Sequence, residues 1–364
     1  MNKKEPLVRM TKRATITKSK SIAIRLIAVL LSLIVCALVI VAITHQNPIQ
    51  VYAGIIDGAL GTNRRLWTTI RETMVLLLIA VGLTPAFKMR FWNIGAEGQV
   101  LMGGLATAAL MIYVGDKVPT IVLLIAMLIV SILAGMIWGL IPAFFKARYN
   151  TNETLFTLMM NYVAMQLVTF CIVFWENPAG SNTVGIINRQ TKAGWFPEVF
   201  GNAYTLNVII VLVLTVGMFI YLKYSKQGYE ISVVGESQNT ARYAGINVKR
   251  VITRTMMISG GICGLAGAIV VGGASHTIST STANGRGFTA IIVAWMAHFN
   301  PFVMIIISAF LVFMQQGAIQ IATQFGLNEN ASDIITGIIL FFLIGSEFFI
   351  NYKLEFRKNK KEVA

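Results

Sequence analysis

Residues 22–44 read IAIRLIAVLLSLIVCALVIVAIT, with Arg25 the only charged side chain. A helix needs about 20 apolar residues to cross the hydrocarbon of a bilayer, so this run is long enough to span. A secretory leader would have a shorter apolar core and a small-residue cleavage site. The residues that follow, Thr44-His45-Gln46-Asn47-Pro48, offer no such site. The stretch is therefore expected to be an uncleaved first membrane span.

Similar runs recur at 68–87, 92–114, 118–142, 154–175, 204–222, 251–275, 288–300, 302–323 and 333–350. The run at 288–300 is short for a helix standing perpendicular to the membrane. It is expected either to cross as a broken piece or to be re-entrant, which a membrane tolerates only where protein buries the backbone. Composition agrees with this frame. The chain has 364 residues, 56% of them hydrophobic and 12% charged, against about 25% charged in soluble domains. Mean hydropathy is +0.71. The expected fold is all-α, a polytopic transmembrane helical bundle of about ten spans.

The net charge of +15 raises nucleic acid as a partner, but no basic stretch lies outside the membrane frame, so no nucleic acid is expected. Topology explains the charge better. With the N-terminus inside, ten crossings place 23 Lys and Arg residues on inner segments and seven on outer ones. Basic residues accumulate on the cytoplasmic side, so both termini are expected there. The chain then divides into a basic tail (1–21), a membrane body (22–352) and a second basic tail (353–364). The body carries an outer loop at 176–203, edged by Trp175 and Trp195 as interfacial anchors, and a cytoplasmic loop at 223–254. The tails lack packing periodicity and are expected to be mobile, resting at most on anionic lipid headgroups. Cys36, Cys171 and Cys263 sit in three different apolar runs, with neither disulfide nor zinc spacing. No metal site and no catalytic residue is expected. H-E-x-x-H is absent, and no membrane span holds G-x-S-x-G.

The decapeptide FWNIGAEGQV, 91–100, opens one of the spans yet carries Asn93, Glu97 and Gln99. With Arg90 at the inner face and a helix from residue 92 onward, Glu97 lies about 10 Å into the membrane at ~1.5 Å per residue. A carboxylate facing lipid there is unfavourable by several kcal/mol. Two readings stand. In the first, Glu97 pairs with Lys88 or Arg90 or accepts backbone N–H groups of a broken helix, and Asn93 caps a helix start. In the second, Asn93, Glu97 and Gln99 line the solute path. Asn161 and Trp295 are further path candidates, since amides and aromatic faces suit a polar, planar, uncharged solute at a midplane site. Gln316 and Gln320 share a helix face and read better as interhelical glue than as pore lining. Gly260, Gly264 and Ala268 repeat at four-residue spacing, and Gly267 lies beside them. Gly260, Gly264 and Gly267 are expected to form a close-packing helix face.

In the cytoplasmic loop, Ser237 is placed to cap a helix over 237–244, and Gly245 fits the left-handed position that ends one. Two turns are not stable alone in water. Such a helix is either a connector on the membrane surface or a peg for a groove on a partner.

Four segments carry a resemblance. NTARYAGINVKR (239–250) is similar to the cytoplasmic coupling segment of ABC import permeases of the branched-chain amino acid, simple-sugar and nucleoside group. FWNIGAEGQVLMGGLATA (91–108), NETLFTLMMNY (152–162) and GRGFTAIIVAWMAHFNP (285–301) resemble other signatures of the same group, in the same order. The resemblance covers about 68–350 and is closest to nucleoside uptake permeases associated with basic-membrane-protein lipoproteins. It implies two inverted-repeat halves, roughly 68–175 and 251–350, in a bacterial inner membrane. It also implies that Glu236, Thr240, Arg242, Tyr243, Ala244 and Gly245 contact a cytoplasmic ABC ATPase. The other implied partners are a second permease chain, identical or not, and an extracytoplasmic substrate-binding lipoprotein. The chain lacks G-x-x-x-x-G-K-[ST], so ATP and magnesium are expected on the partner ATPase and no cofactor on this chain. The function so implied is nucleoside import by alternating access. Ribose or other simple sugars are the alternative solutes, and a proton-coupled secondary transporter using Glu97 is the alternative class.

Overall fold

The computed structural model describes residues 8–13, 16–44, 47–326 and 330–356. In chain order the elements are β1 (Val8–Lys12), α1 (Lys18–Thr44), α2 (Pro48–Leu60), α3 (Asn63–Lys88), α4 (Ala96–Val114), α5 (Thr120–Tyr149), α6 (Glu153–Trp175) and α7 (Thr205–Tyr224). There follow α8 (Lys226–Glu236), α9 (Gln238–Tyr243), α10 (Val248–Val270) with a π-helical extension at Val271–Ser275, α11 (Arg286–Met296), α12 (Pro301–Gln324), α13 (Asn330–Asn351) and β2 (Tyr352–Phe356). Among the described residues nine helices are long and apolar enough to span a membrane. They match nine of the ten expected runs. The tenth, 288–300, is the 11-residue α11, which at ~1.5 Å per residue reaches about half way across a bilayer.

Helix starts follow the sequence chemistry. The side chains of Asn47, Asn152, Ser225, Ser237 and Asn247 each accept a backbone N–H at the start of α2, α6, α8, α9 and α10. Such caps satisfy donors that the first turn leaves without a partner. One start differs from expectation. The span containing Glu97 begins at Ala96, because residues 92–95 form a non-helical turn in which the Asn93 side chain accepts the Gly95 N–H at 3.0 Å.

The chain forms two compact units, Trp67–Val312 and the pair of segments Met1–Leu66 with Phe313–Ala364. In the first unit α4, α5 and α10 make the densest core. A methyl group added at Gly264 would lie 2.4 Å from the Ser131 carbonyl oxygen, one at Gly260 2.3 Å from that of Gly135, and one at Gly267 2.2 Å from that of Val100. Only glycine allows these backbone approaches, which is how helices associate where lipid supplies no hydrophobic drive. The most apolar 18-residue stretches of α3 and α10 are 89% and 83% buried, against 22–56% for the other spans.

In the second unit α1 and α13 run antiparallel. Arg25 near the start of α1 meets Glu347 near the end of α13 at 2.6 Å, and the Cys36 thiol faces the Ile335 carbonyl. β1 and β2 pair antiparallel, with Met10 opposite Leu354 and Lys12 opposite Tyr352. Part of each basic tail, 1–7, 14–15 and 357–364, lies outside the described residues, but the inner part of both is a hydrogen-bonded ladder rather than the unpaired chain expected. The helix α2, also unforeseen, packs on α12: a methyl group at Gly58 would fall 2.4 Å from Gln320 Cβ and 3.0 Å from the Gln316 carbonyl oxygen. Gln316 and Gln320 thus stand at a helix–helix contact.

Candidate functional site

The polar residues of 91–100 are held from three sides. Asn93 and Gln99, 0% and 1% exposed, exchange amide hydrogen bonds at 3.3 Å, and Asn93 also donates to the Ser259 hydroxyl on α10. Asn161 on α6 accepts the Gly98 N–H at 2.8 Å and donates to the Ile94 carbonyl at 2.9 Å. Thr157 accepts the Ile94 N–H. Asn93 and Asn161 therefore satisfy backbone left open where the chain turns before α4, and Gln99 holds the Asn93 amide in place. Asn93, Gln99 and Asn161 are occupied in this way and buried.

Glu97 reaches α11. Its two carboxylate oxygens accept the Gly285 and Gly287 N–H groups at 2.7 and 2.8 Å. These donors belong to the start of α11, where unpaired N–H groups and the helix dipole favour an anion. Of the pairings open to Glu97 in the sequence, backbone N–H groups are the ones formed, and Lys88 instead points at the Leu222 carbonyl. Trp295, 43% exposed, stacks on Trp92 with ring centroids 5.4 Å apart and 20° between the planes.

Two cavities flank the loop before α11. The first, about 350 Å3, is lined by Arg71, Glu72, Arg286 and a run of hydroxyl side chains from Ser275 to Thr282. Glu72 binds both guanidinium groups: Arg71 donates to one carboxylate oxygen at 2.6 and 3.0 Å, and Arg286 to the other. The π-helical turn at Val271–Ser275 borders this cavity, and such insertions gather at functional sites. The second cavity, about 270 Å3, contains Glu97, Asn161, Tyr162, Met165, Asn284 and Phe288 in its wall. Arg71 and Arg286 are two of the seven basic residues expected on outer segments. Their shared carboxylate lies on a different span from Arg286, and no spacing along the chain reveals that pairing.

The cytoplasmic-loop helix is present as α9, with the Ser237 hydroxyl accepting the Thr240 N–H at 3.2 Å and Gly245 at φ +76°. Ala241 is buried, whereas Glu236, Thr240, Arg242, Tyr243, Ala244 and Gly245 are exposed, Tyr243 at 93%. The helix before it, α8, was not foreseen. It is anchored by a Glu230–Arg254 ion pair at 3.0 Å and by Gly235, where a methyl group would fall 2.2 Å from the Lys88 carbonyl oxygen. In the 176–203 loop, Trp195 donates to the Ile187 carbonyl and stacks flat on His276, with centroids 3.8 Å apart. Trp175 donates to the Tyr113 hydroxyl.

A many-spanned helical body with a broken helix beside polar cavities, and a short exposed helix on a packed base, defines the class of membrane transport permeases. Residues 66–344 match the family described as branched-chain amino acid transport system / permease component, and the chain belongs to that family. The guanosine ABC transporter permease protein NupP of Bacillus subtilis is 29% identical, over 88% of this chain and 92% of its own length. The nucleoside ABC transporter permease protein NupB of Lactococcus lactis is 28% identical, over 90% of this chain and 91% of its own. The glucose ABC transporter permease protein TsgB13 of Haloferax volcanii is 24% identical, over 90% and 88%. No solved structure matches the chain.

Proposed function

We propose that this chain is the permease subunit of an ABC importer that brings nucleosides into the cell by alternating access. The observation that carries the reading is α9. It is too short to persist alone, yet it is capped, held on α8, and presents Arg242 and Tyr243 outward. A rigid exposed peg of this kind fits a groove on a cytoplasmic ATPase. Glu236, Thr240, Ala244 and Gly245 complete its contact surface. ATP hydrolysis belongs to that partner. A second permease chain completes the pathway, and an extracytoplasmic lipoprotein delivers the solute.

Both termini lie on the cytoplasmic side of a bacterial cell membrane. The β1–β2 ladder pairs residues 8–12 with 352–356, and same-side ends need an even number of traverses, so the 276–300 segment that contains α11 is read as the tenth. The excess of basic residues on the same side supports the orientation. The inverted halves begin with α3 and α10, the two most buried spans. Nucleosides are favoured because NupP and NupB bear those names and align over nearly their full lengths. TsgB13 supports simple sugars as the second reading. Two backbone donors hold the Glu97 carboxylate in a structural contact with α11, which supports the ABC reading over a proton carrier at this residue.

The deciding experiment measures labelled uridine uptake in vesicles depleted of ATP that keep a proton gradient. Uptake should stop. Continued uptake would assign the chain to proton-coupled transport.

A further inference from the structure

The two cavities differ in chemistry and share a wall. The first is hydrophilic: Arg71, Glu72, Arg286, Thr277 and Ser279 face it. Both carboxylate oxygens of Glu72 are committed to the arginines, so the two guanidinium groups leave a net positive surface toward the cavity. The second presents Leu158, Tyr162, Met165 and Phe288. Glu97 is spent on the α11 amides, which leaves Asn284 as the nearby amide on that side. Ser281 and Asn284 line both cavities, so the two adjoin along the 279–285 loop.

A nucleoside has the same division. One half is a hydroxyl-bearing sugar that donates to and accepts from hydroxyl and charged groups. The other is a flat base that buries its faces on apolar and aromatic side chains and shows a hydrogen-bonding edge. The first volume, about 350 Å3, is near the lower bound of the roughly 300–1,000 Å3 of small-molecule sites, and the second, about 270 Å3, falls just below it, so each suits part of such a solute. Resting on the nucleoside reading above, we infer that the first cavity takes the sugar, the second takes the base, and Asn284, where the two adjoin, reads the edge of the base.

The test places a cysteine in each cavity of the complete transporter, S279C in the first and M165C in the second. It follows the rate of modification by a membrane-impermeant thiol reagent. Cys36 and Cys263 are buried and Cys171 is partly exposed, so the parent protein sets the background. Uridine should slow modification severalfold at both positions, ribose only at S279C and uracil only at M165C. Protection of both positions by ribose, or of neither by uracil, overturns the division. If ATP-driven uridine uptake holds but uridine protects neither position, the assignment of these cavities is wrong and the transport reading stands. If no ATP-driven uridine uptake occurs, both fall together.

Discussion

Glu97 and Gly287 touch so closely that neither can change independently. The Glu97 carboxylate accepts the Gly287 N–H at 2.8 Å, and a methyl group at Gly287 would lie 2.6 Å from the Glu97 backbone nitrogen. Two helices far apart in sequence, α4 and α11, are locked at one point. Glu97→Gln keeps one acceptor oxygen but turns an N–H donor toward the other amide. Hydrogen bonds to charged groups contribute about 1.5–3 kcal/mol each. Glu97→Gln should therefore fold with lowered thermal stability and reduced uptake, and Glu97→Ala should lose more of both. Thermal unfolding in detergent and uridine uptake measure the two. Equal behaviour of the variants would remove the carboxylate from this role.

Replacing Arg242 and Tyr243 together with Ala should separate ATP hydrolysis from transport. Both side chains are exposed on α9, so folding should be unaffected. ATPase activity in the assembled transporter should persist while uptake falls at least tenfold, a loss of about 1.4 kcal/mol in coupling. Unchanged uptake would show that α9 is only a surface connector.

The glycine face makes a sharp contrast possible. Gly264→Ala forces a methyl group to 2.4 Å from the Ser131 oxygen, and overpacking of this kind destabilises by about 1–3 kcal/mol. Gly217→Ala on α7 meets nothing within 4 Å and should leave stability unchanged or slightly raised, as alanine favours helix. Melting temperatures of the two variants should move apart.

His276 predicts a pH dependence. Burial, and then the neighbouring positive charge of Arg71, push its pKa below the ordinary histidine value. The unfolded chain therefore takes up the proton first as pH falls. Stability from this group is full above the unfolded value, near 6.5, and is lost as pH falls from there toward the lowered folded value. Thermal stability should drop as pH falls below about 6.5. His276→Asn suits the left-handed backbone at φ +53°. It loses the stack on Trp195 but should flatten that slope.

The spans were legible because hydrocarbon leaves a chain few options: about 20 apolar residues must be helical. The α9 cap was legible because Ser237 and Gly245 act through local backbone chemistry. The Gly260–Gly264–Gly267 face was visible as a spacing, although its counterparts Gly135 and Val100 were not. The failures have two causes. α2 is too short to be read as a span and too apolar to be read as a loop. α8 is a helix because it leans on Lys88 and Arg254. The Arg71–Glu72–Arg286 cluster joins residues more than two hundred positions apart. The start of α4 shifted to Ala96 because Asn93 turned inward on its own backbone. Tertiary partners decide the arginine cluster and the seating of α8, while the local signals that were present, the Asn47 and Ser225 caps and the Asn93 turn, are too short-ranged to announce a helix by themselves.

The pairing of α1 with α13 bears on how the protein is made. α1 leaves the ribosome long before α13 and must wait in the bilayer until α13 is synthesised before Arg25 can reach Glu347 and the β-ladder can close. During synthesis the nascent first segment depends on the insertion machinery or on lipid for temporary cover. A stop codon just before residue 330 should therefore yield a product degraded far faster than the complete chain in a pulse-chase experiment. Equal half-lives would mean that the early helix needs no late companion.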